Sequence, residues 1–266
     1  MSEREGYEHG VPCWVVALQP DCHAGAEFYG ALFGWDCVYA GGFFTARLRG
    51  RAVAAVAPQP EGAGPAWITN VWTDDPDATA EKARAAGGTV VAEPFDLPTG
   101  RVAVLADPAG AVFGAWRPQA VRGAEVVNEP GAWAMSRLDT PDPERAAAFY
   151  AAVFGWTTEA FGPVTMFRLP GYVGGEPQQP VSREVVATML PADGPARWSV
   201  DFWVSDADGI AARAAELGGT VLAEPFDTPM SRTVVLADRF GAPFSVTQMR
   251  LGGPAPETPG SGAPAA

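Results

Sequence analysis

The octet Phe28-Tyr29-Gly30-Ala31-Leu32-Phe33-Gly34-Trp35 returns 121 residues later as Phe149-Tyr150-Ala151-Ala152-Val153-Phe154-Gly155-Trp156. Ala92-Glu93-Pro94-Phe95-Asp96 returns as Ala223-Glu224-Pro225-Phe226-Asp227, and Leu105-Ala106-Asp107 as Leu236-Ala237-Asp238, now 131 residues on. Between residues 67–116 and 198–247, 24 of 50 ungapped positions are identical, which makes the chain an internal duplication. Whatever unit one copy folds into, the chain must hold two. The change of offset places a net insertion of ten residues in the second copy between Trp156 and Trp198, and the Gly/Pro-rich stretch 170–180 is where it fits. A surface insertion is the ordinary reading and a lid the alternative.

Each copy carries the same order of elements. Residues 14–18 are an apolar run of β type, and Pro20-Asp21 then caps an alanine-rich amphipathic segment running through Phe33 to Gly34. Strand-like stretches follow at 43–48 and 52–57, before residues 58–65 break the pattern. The cycle restarts at 67–73 and continues in a helix over about 76–86 that ends at Gly87-Gly88. Strands at 89–92, 101–106 and 111–117, the last two joined by the turn Asp107-Pro108-Ala109-Gly110, close it. The pattern predicts two strand-helix-strand-strand-strand (βαβββ) units per copy. The fold class is α+β, with domains at 10–118 and 130–250, a linker at 119–129 and a disordered tail at 251–266.

Composition prunes the chemistry. With 266 residues, 47% hydrophobic and 18% charged, the chain can bury two ordinary cores. Its 31 Asp and Glu against 18 Lys and Arg give −13, which repels nucleic acid and anionic membranes and favours neutral or cationic partners. His9, His23, Cys13, Cys22 and Cys37 are all the histidines and cysteines, so everything beyond Cys37 works without imidazole or thiol. Their spacings match no zinc or redox pattern, and the odd cysteine count argues against a cystine framework. The first residues are polar and no apolar run reaches about 18 residues, so a cytoplasmic chain in a reducing compartment is expected.

The phrase Phe-Tyr-x-x-x-Phe-Gly-Trp after a strand and an Asp cap, closed by a Leu-Ala-Asp-x-x-Gly-x-x-Phe hairpin, resembles the vicinal oxygen chelate superfamily. That superfamily includes glyoxalase I, extradiol dioxygenases and bleomycin-resistance proteins. The resemblance implies two tandem glyoxalase-like domains, each of paired βαβββ units forming a curved mixed sheet around a cleft. It also implies where relatives hold a divalent metal: Trp14, Ile68 and Gly114 in the first copy, and Met135, Ser199 and Ser245 in the second. None of these side chains is a competent ligand for such an ion, so neither a metal nor another cofactor is expected.

If those positions line a cleft, period-2 alternation puts Ile68, Asn70 and Trp72 inward in the first copy, joined by Trp14 and Trp116. In the second copy it puts Ser199, Asp201 and Trp203 inward, with Met135, Arg137 and Asp139 beside them and Ser245 on the last strand. Aromatic surface with a few placed polar groups suits a flat conjugated ligand. Trp67 and Trp198 have the opposite parity and should be core. Arg137, Asp139 and Asp201 would form a charged cluster that grips a ligand, serves as acid and base through Asp139 or Asp201, or is a structural ion pair. Arg101 and Arg232 should pair with nearby carboxylates, and Cys22 and His23 should be solvated.

Three functions fit these residues. Resemblance to metal-free resistance proteins, and to tandem proteins of actinomycete secondary-metabolite clusters, implies sequestration or delivery of an aromatic, anthracycline-like polyketide. The second is a cofactor-free enzyme on a polyketide intermediate. The third is an interaction protein with closed clefts. The expected partners are a small aromatic ligand and, from the pathway context, an oxygenase; the chain is expected to be a monomer or a homodimer.

Overall fold

The computed structural model describes residues 3–119, 122–173 and 184–250. The expected disordered tail lies outside these residues, as does most of the 170–180 insertion. The first copy runs β1 (Pro12–Gln19), α1 (Cys22–Phe33), β2 (Asp36–Ala40), β3 (Phe43–Leu48) and β4 (Arg51–Pro58), then β5 (Ala66–Trp72), α2 (Pro76–Ala85), β6 (Thr89–Leu97), β7 (Gly100–Ala106) and β8 (Val112–Pro118). The second runs β9 (Trp133–Thr140), α3 (Pro143–Phe154), β10 (Thr157–Phe161), β11 (Val164–Arg168) and β12 (Val185–Pro191), then β13 (Arg197–Trp203), α4 (Ala207–Glu216), β14 (Thr220–Asp227), β15 (Ser231–Ala237) and β16 (Pro243–Met249). Each copy forms one eight-stranded sheet, ordered β2-β3-β4-β1-β5-β8-β7-β6 and β10-β11-β12-β9-β13-β16-β15-β14. The two βαβββ units of a copy thus join through their first strands, β1 to β5 and β9 to β13.

Local chemistry explains the elements. Asp21, Asp75, Asp142 and Asp206 cap the four helices, each carboxylate accepting backbone N–H bonds from the first turn. Gly34 and Gly155 end α1 and α3 at φ 72 and 74°, a conformation that needs no Cβ. β2 is missing from the sequence reading. It is an edge strand whose residues are nearly all exposed, so it carries no burial alternation. β6 runs past the expected 89–92 because two bulges carry it through Pro94.

The repeated motifs meet across the copies. Tyr29 donates to Asp238 Oδ2 at 2.7 Å and accepts from Trp67 Nε1 at 2.9 Å. Reciprocally, Tyr150 donates to Asp107 Oδ2 at 3.3 Å and accepts from Trp198 Nε1 at 2.9 Å. Trp35 and Trp156 each donate to a carbonyl of the other copy, Gly131 and Gly10, both at 2.7 Å. The Phe33 ring lies 4.9 Å from that of Phe202, tilted by 38°, so α1, which packs on β1, β3 and β4 of its own sheet, also brings Tyr29 and Phe33 against β13 and β16 of the second copy. Two cores result, each drawn from half of either copy. Trp67 and Trp198 are core, as their parity predicts.

Gly88 shows how close this contact is. A Cβ there would lie 2.6 Å from the Phe149 ring and 2.7 Å from the Ala106 carbonyl. Gly88→Ala should therefore cost roughly 1–3 kcal/mol by overpacking, read as a lower urea midpoint at unchanged slope. An unchanged midpoint would show that the helix ends tolerate separation.

The connecting segment is packed rather than free. Ala124 N–H donates to the Cys13 carbonyl at 2.8 Å, Tyr7 donates to the Ala124 carbonyl at 2.7 Å, and Ala124, Val126 and Val127 are buried.

Candidate functional site

Helices cover one face of each sheet, where Val15, Trp67, Val71 and Phe113 of the first copy are buried. Alternation leaves the other face free of helices, and the register fixes which residues share it. On the first sheet this open face brings together Trp14, Val16, Ile68, Asn70, Trp72, Gly114 and Trp116. On the second it brings together Met135, Arg137, Asp139, Ser199, Asp201, Trp203 and Ser245. The expected sets are thus assembled, with Val200, Phe202 and Val204 on the helix side.

The two faces differ in chemistry although their positions correspond. The first is apolar and partly closed. Trp14 and Trp116 stand 6.4 Å apart, are 5% and 3% exposed, and share a buried cluster with Ala124, Val126 and Val127. Neither ring presents a free face, which corrects their expected role as stacking surfaces. Asn70 is buried too, its amide filling the space that a side chain at Gly114 would need. Trp72 and Ile68 keep partial exposure, with Trp72 Nε1 directed to Asp74 at 3.4 Å.

The second face is polar. Asp201 Oδ1 accepts from Ser245 Oγ and from Thr247 Oγ1, both at 2.8 Å, and Thr247 is joined to Thr233 at 3.0 Å. Burial pushes the Asp201 carboxyl up to about 6, against the opposing pull of Ser245, Thr247 and the Arg137 charge. Asp139 is engaged differently from Asp201. It is buried in an ion pair with Arg137 at 2.8 Å and reached by Arg197 at 3.6 Å, so the structural pairing holds there. Arg101 and Arg232 likewise pair with Asp77 and Asp96, and with Asp208 and Asp227. His23 is exposed and Cys22 half-buried.

Sequence reasoning missed Thr233 and Thr247, and with them the aromatic edges of this face. Phe226 pairs with Thr233 in the row that continues to Thr247 and Trp203, and it is 46% exposed. Phe161, at the opposite edge, has the same parity as Glu159 in the row Glu159-Met166-Thr188-Arg137-Ser199 and is 57% exposed. Setting Trp116 against Thr247 and Val102 against Thr233, position by position between copies, would have exposed the change from apolar to hydroxyl.

A family model for a glyoxalase-like domain matches residues 14–115 and again 135–247. The chain belongs to this glyoxalase-like family. Among curated relatives, the anthracycline biosynthesis protein DnrV of Streptomyces peucetius is 39% identical over 92% of this chain and 96% of its own length. The putative glyoxylase CFP32 of Mycobacterium tuberculosis (strain CDC 1551 / Oshkosh) is also 39% identical, over 97% of this chain and all of its own. Among solved structures, the Mn(II)-bound glyoxalase from Novosphingobium aromaticivorans superposes with a TM-score of 0.63 at 17% identity, covering 90% of this chain and 82% of that one. The 2,3-dioxygenase LapB from Pseudomonas sp. KL28 gives 0.62 at 12%, covering 95% and 96%. These likenesses place this glyoxalase-like chain in the vicinal oxygen chelate fold.

A divalent metal does not fit its donor set. The first face offers indole, alkyl and amide groups. The second offers two carboxylates, Asp201 already bonded by two hydroxyls and Asp139 paired with Arg137, with a thioether and serines, and among the described residues no three His, Cys, Asp or Glu side chains gather. Among the described residues no helix is long and apolar enough to cross a membrane.

Proposed function

We propose that this protein binds a flat aromatic, polyketide-type molecule such as an anthracycline on the open face of its second sheet, without a metal, and thereby serves its biosynthesis or the producer's self-resistance. The observation that carries this reading is the contrast between the faces. Both faces carry an exposed aromatic at the matching edge, Phe95 and Phe226, but among the described residues the second adds a polar floor, with Asp201 set between Ser245 and Thr247, and a further exposed ring at Phe161. Phenolic hydroxyls suit the Asp201 carboxylate as their acceptor, quinone oxygens suit the Arg137 guanidinium as a donor, and a cationic aminosugar suits a chain of net charge −13. The relative named an anthracycline biosynthesis protein supports the ligand class. Delivery to a pathway oxygenase and a cytoplasmic location belong to the same proposal.

Tryptophan quenching by hydroxyanthraquinones tests it, since Trp203 lies in the row of Thr247. Saturable quenching is expected, weakened about tenfold or more in Asp201→Asn through loss of a charged acceptor and little changed in Ile68→Ser on the other sheet. No saturable quenching by any member of such a panel would sink the proposal.

A second reading rests on the Asp201 carboxyl itself. Raised to about 6, it stands close to neutral pH, where a general acid-base is most effective. Turnover of a bound polyketide by purified protein, abolished in Asp201→Asn, would promote a cofactor-free enzyme over a binding protein.

A further inference from the structure

The N-terminal segment, the segment between the sheets and the start of β9 line a half-open cavity of about 40 Å³, with Arg4, Tyr7, Asn128, Trp133, Met135 and Tyr172 in its wall. Three polar atoms of that wall, Arg4 Nε, Asn128 Oδ1 and Trp133 Nε1, are buried and have no hydrogen-bond partner among the described residues. Buried polar atoms are almost always satisfied, so three orphans around one cavity are a specific signal. Asn128 and Trp133 are only 4% and 5% exposed. They are also held in place. Asn128 adopts φ 58°, and its backbone N–H donates to the Trp133 carbonyl at 3.0 Å, which fixes amide and indole relative to each other.

The charge of the cavity is set by Arg4. Its guanidinium lies over the rings of Tyr7 and Tyr172, at 5.7 and 5.9 Å, and forms no ion pair among the described residues. The Tyr7 hydroxyl is engaged with the Ala124 carbonyl, so it does not compete for a guest. The guanidinium has no carboxylate partner among the described residues, and although it is drawn to the Tyr172 hydroxyl its Nε–H is left, with the indole N–H, to donate. The Asn128 amide donates as well after a half-turn, which exchanges its oxygen and nitrogen and breaks no hydrogen bond of its side chain. A water-sized sphere needs roughly 10–15 Å³ of such volume, so the cavity holds about three heavy atoms. That is the size of one carboxylate group.

From this geometry we propose that the cavity is a binding site for a small monocarboxylate, held by Arg4 Nε–H, Trp133 Nε1–H and the Asn128 amide. The site is independent of the open face assigned to the aromatic ligand, although Met135 borders both. It has no equivalent in the first copy. Pro12, Tyr7 and Trp14 stand where the second copy has Trp133, Asn128 and Met135.

The test is a formate titration of the ¹⁵N-labelled full-length protein, at constant ionic strength, following the indole N–H resonances. Trp133→Phe assigns the resonance concerned. That resonance should move saturably while the other indoles stay, with affinity about tenfold or more weaker in Arg4→Gln. Asn128→Asp, which places a negative charge in the wall, should abolish the shift and covers the case in which Arg4→Gln fails to fold. A Trp133 resonance that does not saturate, or that moves equally in both variants, would reduce the cavity to a hydration site and overturn the proposal.

Discussion

Asp238→Ala should destabilise the protein by roughly 3–5 kcal/mol, the loss expected when a buried, fully bonded carboxylate is removed and its donors stay behind. Its Oδ2 accepts from Tyr29 at 2.7 Å and from Gln19 Nε2 at 2.6 Å, and its Oδ1 accepts from the N–H groups of Phe240 and Ala242, both at 2.9 Å. The first pair belongs to the first copy and the second pair to the turn after β15. Truncation therefore opens both the turn and the contact between copies. The matched Asp107→Ala should cost less, about 1–3 kcal/mol, because Tyr150 is 3.3 Å away and Thr140 stands in the place of Gln19. Urea titrations of both variants followed by tryptophan fluorescence and circular dichroism decide it. Each should give one coincident transition, since each core draws on both copies. A cost below about 1 kcal/mol for Asp238→Ala would show that the cross-copy link is incidental.

The same residues explain why the fold could be read from the sequence and the assembly could not. Phe-Tyr-x-x-x-Phe-Gly-Trp, Gly-Gly and Leu-Ala-Asp recur because each does one job twice. Phe149 closes on Gly88 as Phe28 closes on Gly219, and Tyr150 binds Asp107 as Tyr29 binds Asp238. Periodicity revealed that α1 buries a face. It was silent on the rings of β13 and β16 that meet Tyr29 and Phe33 from the second copy, which lie more than 160 residues away in the chain. Whether the copies pair within the chain was left open by the sequence, and the Tyr29–Asp238 contact closes that question. β2 escaped notice for the opposite reason, because an exposed edge strand imposes no pattern.

The candidate site follows a different logic. Its information lies where the copies differ: Val16 against Arg137, Leu18 against Asp139, Asn70 against Asp201, Gly114 against Ser245. Alternation placed these residues on one face, and the register agrees. Which groups are free to act depends on side-chain partners that no pattern encodes. Arg137 takes Asp139 into an ion pair and leaves Asp201 to the hydroxyls, while Trp14 and Trp116 disappear beneath a segment that reads as a linker.

Asp201→Asn should do the reverse of Asp238→Ala and stabilise the protein at neutral pH while weakening ligand binding. Burial raises the Asp201 carboxyl from 3.8 to about 6, so the folded state prefers it protonated. Below the unfolded value both states hold the proton and there is no penalty. Between about pH 4 and 6 the unfolded chain releases it first, and stability falls as pH rises. Above about 6 the full cost of an ionised, poorly solvated carboxylate is present. At ~1.4 kcal/mol per pKa unit this is at most about 3 kcal/mol, and the residue's partial exposure brings the expectation to about 1–3 kcal/mol. Asparagine keeps an oxygen for Ser245 and Thr247 without that cost. The variant should thus be more stable than the parent at pH 7 and match it near pH 4, as measured by urea midpoints across the range. A carboxylate kept at a stability cost is the mark of a group retained for a ligand. If Asp201→Asn is instead destabilising at pH 7 to the same degree as at pH 4, Asp201 is a structural acceptor and the binding site must be sought elsewhere.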